Sequence, residues 1–178
     1  MKQLSYFKQD LRRMLGKYKI RILHIWLSRL FWGILLYRTE RTLYLSLGKS
    51  YSIIRVFFIP FFNVIQAYSN LDISYRADIK GGLIILHPSV GCVISGQVTA
   101  GSNLTLVGGN IIGAKFRIEK EAFSIGDNCL FGANSTLIGP VSIGNNINIG
   151  ASACVTKDFL EDGSVLVGVP AKELNSKP

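Results

Sequence analysis

Residues 125–155, IGDNCLFGANSTLIGPVSIGNNINIGASACV, carry a large apolar residue at every sixth position. These residues are Ile125, Phe131, Leu137, Ile143, Ile149 and Val155, and four of them are followed by Gly126, Gly132, Gly144 and Gly150. A helix would repeat apolar residues about every 3.6 positions and a half-buried strand every 2, so six fits neither. A strict period of six with glycine after the apolar anchor predicts a flat-sided coil. Each unit is then one short strand plus a turn, three units close one coil, and the anchors stack into ladders.

The same period begins earlier in the chain and is interrupted once. Ile73, Ile79 and Ile85 are six apart, and Val98 and Leu104 follow after an out-of-phase step. We therefore expect about two coils before residue 110 and two after residue 124. Residues 110–123, NIIGAKFRIEKEAF, break the period and carry five charges, which predicts a loop thrown out of the coil. Such loops commonly carry binding groups, and a tolerated surface insertion is the alternative.

Residues 71–174 resemble the hexapeptide-repeat acyltransferases. The segments that carry the resemblance are IGDNCLFGANSTLIGPVSIGNNINIGASACVTKDF (125–159) and the closing VLVGVPAKEL (165–174). They are similar to the serine acetyltransferase-like branch, which includes O-acetyltransferases of polysaccharide biosynthesis. The resemblance implies a left-handed parallel β-helix, acetyl-CoA as cosubstrate, and a homotrimer or a dimer of trimers. We predict a mainly β chain, with a helical region over residues 1–70 and the β-helix domain over residues 71–178.

The excess positive charge is confined to the N-terminal third of the chain. Residues 1–55 hold 12 Lys and Arg against two acids, Asp10 and Glu40, whereas residues 56–178 hold eight against nine. The formal net charge of +9 thus divides into +10 and −1. A basic segment pairs with the phosphates of nucleic acid or with anionic lipid headgroups. Because no nucleic-acid-binding module accompanies the charge, we predict no nucleic-acid partner.

The basic segment also carries two amphipathic helix patterns, one over residues 10–18 and one over residues 23–35. Aromatic residues stand beside arginines in the second pattern, as is typical of helices at a membrane interface. These residues are Trp26, Trp32 and Tyr37 with Arg21, Arg29 and Arg38. We predict peripheral membrane contact through residues 1–55, and helix packing within an oligomer is the alternative.

The longest uncharged run in the first 80 residues is residues 56–71, and it contains Pro60, Asn63 and Gln66. Its 16 residues fall short of the roughly 20 apolar residues that cross a bilayer core, so we expect it to pack the helical region onto the first coil. No secretory signal is visible at the N-terminus. We therefore expect a cytoplasmic protein, associated with the inner face of the membrane if the basic segment binds lipid.

His87 is the only imidazole in the repeat region, and imidazole suits the removal of a proton from an acceptor hydroxyl. A surface histidine in a turn before Pro88 is the alternative interpretation. In serine acetyltransferases and their relatives, a histidine near the end of the first coil is the general base, and an aspartate 15 residues earlier orients it. Asp72 stands 15 residues before His87, so the resemblance implies that this pair is catalytic.

The resemblance places the donor in a groove between coils, where backbone amides at turns require small residues. Gly132–Ala133 and Gly150–Ala151 fit that requirement, and Lys157 and Lys172 are candidates for the phosphates of coenzyme A. The alternative for Lys157 and for Lys172 is an ordinary exposed lysine with no role in binding. We predict no metal, because a catalytic zinc site takes three imidazole ligands and the coil has only His87. Counting the histidines of one chain leaves open a metal site formed by three His87 side chains, one from each subunit, around a threefold axis.

The acceptor is the point at which the chain departs from the serine acetyltransferases. Those enzymes have Asp directly before the catalytic His and an Arg-His pair in the loop, and the matching positions here are Leu86, Glu121 and Ala122. Without a cation, the carboxylate of serine would be desolvated and unpaired. We therefore predict a sugar hydroxyl of a bacterial surface-polysaccharide precursor, free or lipid-linked, as the acceptor. Serine O-acetylation is the alternative, favoured if Arg117 replaces the missing cation, and a non-catalytic hexapeptide scaffold is the alternative from another class.

Overall fold

The computed structural model describes residues 2–114 and 123–174, and it divides into a helical part followed by a parallel β-solenoid. The helices are α1 (Lys2–Leu15), α2 (Arg29–Leu47) and α3 (Ser50–Ser69), with 3-10 turns at Lys19–Leu23, Ile25–Leu27 and Pro88–Val90. The strands are short, mostly two or three residues each. They are β1 (Leu71–Ile73), β2 (Asp78–Ile79), β3 (Ile84–Ile85), β4 (Cys92–Ile94), β5 (Val98–Ala100), β6 (Thr105–Leu106), β7 (Asn110–Ala114), β8 (Phe123–Ile125), β9 (Leu130–Phe131), β10 (Thr136–Gly139), β11 (Val141–Ile143), β12 (Asn148–Ile149), β13 (Cys154–Val155), β14 (Val165–Val167) and β15 (Lys172–Glu173).

Successive strands fall in turn on three sheets, which form the faces of the solenoid. Face A has the order β1-β4-β7-β10-β13, face B has β11-β8-β5-β2, and face C has β15-β14-β12-β9-β6-β3. All neighbours are parallel except β14 and β15. Each coil therefore contributes one strand to each face, as the six-residue period predicts, and about four turns are complete.

The stacked apolar anchors form the core, and the ladder of the second coil differs from the expected one. All six anchors of residues 125–155 are buried, as predicted. In the second coil, however, the residues in register with Ile73, Ile79 and Ile85 are Ile94, Ala100 and Leu106. Val98 and Leu104 are buried two positions before the ladder residues, so their assignment to the ladder is wrong. The small side chain of Ala100 concealed a period of six that runs from Ile94 to Ile112.

The glycines after the anchors are required by the close approach of neighbouring coils. A Cβ atom on Gly132 would lie 2.6 Å from the backbone nitrogen of Ala151, and one on Gly144 would lie 2.7 Å from the carbonyl oxygen of Leu160. These distances are shorter than any Cβ contact can be, and the obstructing atoms are backbone atoms that cannot move aside. Glycine is therefore a packing requirement at these positions.

The interruption of the period begins later than expected. Residues 110–114 form β7, which pairs with β4 on one side and β10 on the other, and Ile112 is fully buried on the ladder. The prediction of a loop from Asn110 is wrong, because one more strand completes face A before the chain departs. Phe123, at the other end of the predicted loop, lies buried in β8. Residues 115–122 lie outside the described part of the chain.

Helices α1 and α2 close the first coil of the solenoid through buried polar side chains. The Arg38 guanidinium donates to both carboxylate oxygens of Asp10, at 2.8 and 3.2 Å, and to the carbonyl oxygens of Ile79 and Lys80. The Asp10 carboxylate also accepts hydrogen bonds from the backbone N–H groups of Gly82 and Leu83. An end coil has unpaired backbone groups that would otherwise be costly to bury. Part of the N-terminal basic charge therefore serves the fold.

Two further side chains of α2 complete this closure. The Tyr37 hydroxyl donates to the carbonyl oxygen of Ala77 at 2.9 Å and accepts from the N–H of Ile79 at 3.2 Å. Arg41 donates to the carbonyl oxygen of Arg76 at 2.8 Å. Helix α2 starts later than the predicted stripe over residues 23–35, because Ser28 has an extended backbone and residues before it form 3-10 turns.

Helix α3 does not bury its apolar side chains as the sequence led us to expect. Tyr51, Phe62 and Ser69 are buried, but Phe57 is 82% exposed and Val64 is 67% exposed. The expectation that residues 56–71 pack onto the first coil is therefore wrong for most of their apolar surface. By length and composition alone, the 20-residue helix Ser50–Ser69 is long and apolar enough to cross a membrane.

Candidate active site

The candidate site lies along one edge of the solenoid, where each coil passes from face C to face A. We call this edge the third corner; it consists of residues 86–91, 107–109, 132–135 and 150–153 in successive coils. Backbone hydrogen bonds hold the corners in a column. They run from His87 N to Val107 O, Val107 N to Phe131 O, Gly132 N to Ile149 O and Gly150 N to Leu166 O. Residues far apart in sequence are thereby aligned along the solenoid axis.

His87 lies at the start of this column, on the first coil. It is exposed, its N–H donates to the carbonyl oxygen of Val107 at 2.9 Å, and its own carbonyl oxygen accepts from Val90 at 3.2 Å. A 3-10 turn over Pro88–Val90 follows directly and lengthens the first coil by three residues. Gly108 packs beneath it, because a Cβ there would lie 2.7 Å from the His87 carbonyl oxygen. The backbone of His87 is thus fixed while its imidazole faces outward.

Asp72 lies beside the same corner, on the outer side of β1. Its side chain is exposed, and it lines a shallow groove of about 280 Å³ together with Asn70, Gly91 and Val93. The Asn70 amide donates to the Ser89 carbonyl oxygen at 2.8 Å, which ties the start of β1 to the corner that begins at His87. Within residues 2–114 and 123–174, no hydrogen bond joins Asp72 to His87. The structure therefore places Asp72 beside Gly91, at the end of the corner that His87 begins, and the pairing of the two groups stays a prediction.

The carboxylate of Asp72 also affects its neighbour in the next coil. Burial, and in second place the nearby Asp72 charge, raise the pKa of the Cys92 thiol to about 12. Cys92 is buried, so it is a packing residue of β4. The thiolate form of Cys92 is negligible near neutral pH.

The predicted donor residues occupy the same column two and three coils further along. Gly132–Ala133 and Gly150–Ala151 lie in adjacent turns, joined by a hydrogen bond from Ser152 N to Ala133 O of 2.8 Å. At 4.7–4.9 Å between strands, Gly150 lies roughly 14 Å along the axis from His87. A long, extended ligand lying along the third corner would pass both turns and reach the imidazole.

The two candidate lysines have different positions. Lys172, in β15, pairs in register with Val167 at the C-terminal end of face C, close to the third corner of the last coil, and it is exposed. Lys157 follows β13 on face A, one face away from the column, and its ammonium lies 5.4 Å from the centre of the Phe159 ring. The column therefore ends at Lys172, whereas Lys157 lies off it.

A second groove adjoins the corner from the helical side, and of its lining residues only Leu86 was predicted as a site residue. This groove has a volume of about 560 Å³ and lies between the 3-10 turns and β3. Leu86, half exposed and directly before His87, forms one wall, and Arg21 and His24 stand on the other. The rest of the lining is Ser28 and six apolar side chains: Met14, Ile25, Leu27, Leu30, Ile84 and Ile85. The isolated histidine in an otherwise apolar run, LHIW, was the available sequence signal.

Arg117, Glu121 and Ala122 lie outside the described residues. In the described ranges, no group of three or more His, Cys, Asp or Glu side chains is arranged to hold a metal ion.

Comparisons with known proteins agree with the fold. The family model described as "Hexapeptide repeat of succinyl-transferase" matches residues 123–157. The serine acetyltransferases of Staphylococcus aureus strain Mu50 and Staphylococcus epidermidis strain RP62A are each 33% identical over 104 residues, which cover 58% of this chain. The chain spans about half the length of these curated relatives, since the match covers 48% of each.

Solved structures extend the likeness to nearly the whole chain. The serine acetyltransferase of Neisseria gonorrhoeae superposes with a TM-score of 0.78 at 25% identity, covering 97% of this chain and 66% of that one. The soybean serine acetyltransferase apoenzyme superposes with a TM-score of 0.79 at 24% identity, covering 97% and 69%.

The three-faced coil and the aligned corners of its successive turns define a hexapeptide-repeat β-solenoid with N-terminal helices. The predicted left-handed parallel β-helix is confirmed by the parallel three-faced coil and its likeness to these structures. The resemblance to the serine acetyltransferase-like branch of the hexapeptide-repeat acyltransferases is also confirmed.

Proposed function

We propose that this chain is an acetyl-CoA-dependent O-acetyltransferase in which His87 is the general base. The observation that carries the proposal is the third-corner column, in which one exposed imidazole, two small-residue turns and Lys172 follow one another along the axis. Coenzyme A has the extended shape that such a column accommodates, with its thioester at the His87 end and its phosphates toward Lys172. The likeness to serine acetyltransferases along 97% of the chain supports this assignment.

In the proposed reaction, the unprotonated nitrogen of His87 takes the proton from an acceptor hydroxyl as its oxygen attacks the thioester carbonyl. The carbon–sulfur bond then breaks, the coenzyme A thiolate leaves, and the imidazolium returns the proton to it. Asp72 would accept a hydrogen bond from the other ring nitrogen and stabilise the imidazolium. The side chains of both residues are exposed, so acceptor and donor have access to them.

L-Serine is the acceptor that the comparisons favour, because the curated relatives and the solved structures alike are serine acetyltransferases. A sugar hydroxyl of a surface-polysaccharide precursor is the second candidate. It is favoured by the groove beside His87, where Leu86 stands in place of an acid and the lining is mostly apolar. Leu86 offers nothing to the ammonium of serine, whereas Arg21 offers a cation, and His24 a hydrogen-bonding imidazole, to a phosphate-linked glycan.

The remaining parts of the proposal concern assembly and location. We propose a homotrimer or a dimer of trimers that works in the cytoplasm. Contact of residues 1–55 with the inner face of the membrane would bring a lipid-linked acceptor to the groove. The basic residues of the helical part support this contact.

The experiment that tests the reaction measures coenzyme A release with L-serine and with a panel of nucleotide-linked and lipid-linked sugars. His87→Ala should lower kcat by about 10² to 10⁴ while leaving the oligomer intact. Asp72→Asn should lower it less. The comparison variant is His24→Ala, the other histidine, which should change KM for the acceptor more than kcat.

Each outcome has a distinct reading. Efficient transfer to serine alone identifies a serine acetyltransferase, and transfer to a sugar alone identifies the second candidate. Near-normal kcat in His87→Ala would remove it as the base. No acetyl-CoA-dependent release with any acceptor would favour the scaffold alternative.

A further inference from the structure

Helix α3 presents an apolar stripe to the outside of the molecule. Ile53, Phe57, Phe61, Val64 and Tyr68 are spaced i, i+4, i+8, i+11 and i+15, so they share one face of the helix. Their exposed fractions are 71, 82, 60, 67 and 44%. The opposite face of α3 is the more buried one, and it combines Phe62 with polar groups of Tyr51, Arg55, Gln66 and Ser69. A surface helix of a globular protein normally has the reverse arrangement.

The stripe continues past the end of α3 onto the 3-10 turns. The Tyr68 hydroxyl donates to the carbonyl oxygen of Leu27 at 2.9 Å, which places Leu27 beside the C-terminal end of the stripe. Leu27 and its neighbour Trp26 are 57 and 56% exposed. From Ile53 to Tyr68 the stripe is about 22 Å long at 1.5 Å per residue, and the 3-10 turns widen it at its C-terminal end.

Exposed cations bracket this surface at both ends. Lys49 precedes the first turn of α3, and the Arg29 guanidinium lies 5.7 Å from the Tyr68 ring at the last turn. Among the Lys and Arg side chains that the structure describes in residues 2–70, seven are exposed: Lys2, Lys8, Arg12, Lys17, Arg21, Arg29 and Lys49.

The two acids of the helical part do not offset these cations, because both are buried in ion pairs. Asp10 pairs with Arg38, with side-chain exposures of 0 and 3%, and Glu40 pairs with Arg55, with 2 and 25%. Every exposed formal charge on residues 2–70 is therefore positive. An apolar strip edged only by cations is complementary to an anionic lipid surface.

We infer that α3 lies in the plane of an anionic membrane surface, with Phe57 at the centre of the inserted face and Lys49 and Arg29 on lipid phosphates. This inference moves the main anchor from the basic residues 1–55 to α3, and it does not depend on the acetyl-transfer activity. Insertion across the bilayer would require unpacking α3, because Tyr51 donates to Glu40 at 2.7 Å and Arg55 also bonds Glu40 on its protein side. A twofold pairing of two α3 faces would set Lys49 and Arg29 of one copy against those of the other, and residues 2–70 have no exposed acid to separate them.

The test is co-sedimentation of the full chain with phosphatidylglycerol/phosphatidylcholine vesicles and with phosphatidylcholine alone. Wild-type protein should bind the anionic vesicles and weaken as salt rises from about 0.1 M to about 1 M, as the screening length falls from about 10 to about 3 Å. Phe57→Ser should weaken binding about tenfold or more, because the buried area of one large side chain is lost. The matched control is Leu160→Ser, which removes a side chain of similar exposure, 69%, from the last coil.

A second pair of variants tests the charges. Lys49→Gln with Arg29→Gln should weaken binding and flatten its salt dependence, whereas Arg76→Gln, an exposed arginine of the first coil, should change neither. Light scattering on each variant reports the oligomeric state. The inference is overturned if wild-type protein does not pellet with anionic vesicles, if it pellets equally with neutral ones at all salt concentrations, or if Phe57→Ser behaves like Leu160→Ser. A smaller oligomer in Phe57→Ser without vesicle binding by wild type would assign the face to a second copy.

Discussion

The ion pair of Asp10 and Arg38 offers the sharpest test of how the helices close the solenoid. Arg38→Ala removes a guanidinium that is 3% exposed and leaves the Asp10 carboxylate, 0% exposed, with backbone N–H partners only. The carbonyl oxygens of Ile79 and Lys80 lose their donor as well. Breaking a buried pair by removing one partner typically costs about 3–5 kcal/mol.

For a chain of this size, 1 kcal/mol shifts Tm by about 2–4 °C, so we expect a decrease of about 6–20 °C for Arg38→Ala. Thermal and urea unfolding followed by circular dichroism measure it. Arg29→Ala is the matched control, since it truncates an exposed arginine of the same helix and should change stability by about 0.5 kcal/mol or less. Arg38→Lys keeps the charge but loses the forked geometry of the guanidinium, so its decrease in Tm should lie between those of Arg38→Ala and Arg29→Ala.

The loss of stability in Arg38→Ala should also depend on pH. Burial raises the pKa of Asp10, against the opposing effect of Arg38 and of two backbone N–H groups. Without Arg38 the folded-state pKa rises further above the unfolded value of about 3.9. The folded variant then takes up a proton before the unfolded chain does, so its stability relative to wild type increases as pH falls through the folded pKa. A loss in Arg38→Ala no larger than in Arg29→Ala, or one that grows as pH falls, would refute the reasoning.

Two further predictions concern the coils. Gly132→Ala should destabilise the protein by about 1–3 kcal/mol, because the new Cβ meets the backbone of the next coil. Gly113→Ala should be neutral or slightly stabilising, because a Cβ there has only one neighbouring atom, at 4.0 Å. The unfolding midpoints of the two variants are compared, and equal midpoints would contradict the packing argument. Native protein treated with iodoacetamide at pH 8 should be labelled at Cys154 alone, because Cys92 and Cys129 are buried and burial raises the pKa of both thiols. Peptide mass spectrometry reads the sites, and labelling of Cys92 as fast as of Cys154 would show that β4 opens readily.

Much of the solenoid was predictable because its period is local. One anchor per six residues with glycine behind it, as at Phe131 and Gly132, specifies coil, inward direction and close packing together. The prediction was wrong where the residues at the six-residue period were small or where no charged residue marked the end of a strand. Ala100 is a ladder residue too small to stand out, and Asn110–Ala114 is a strand in a segment whose charges begin only at Lys115.

The sequence by itself determined the six-residue coil, its glycine turns and the uneven division of charge, because each depends only on neighbours along the chain. Tertiary structure alone decided which coil edges align, and so placed His87, Gly132 and Gly150 in one column. It also decided that Asp10 and Glu40 are buried, that Arg38 serves the first coil, and that the apolar face of α3 points outward. Charge and hydropathy count side chains without regard to direction, whereas packing selects which of them face backbone, partner or solvent.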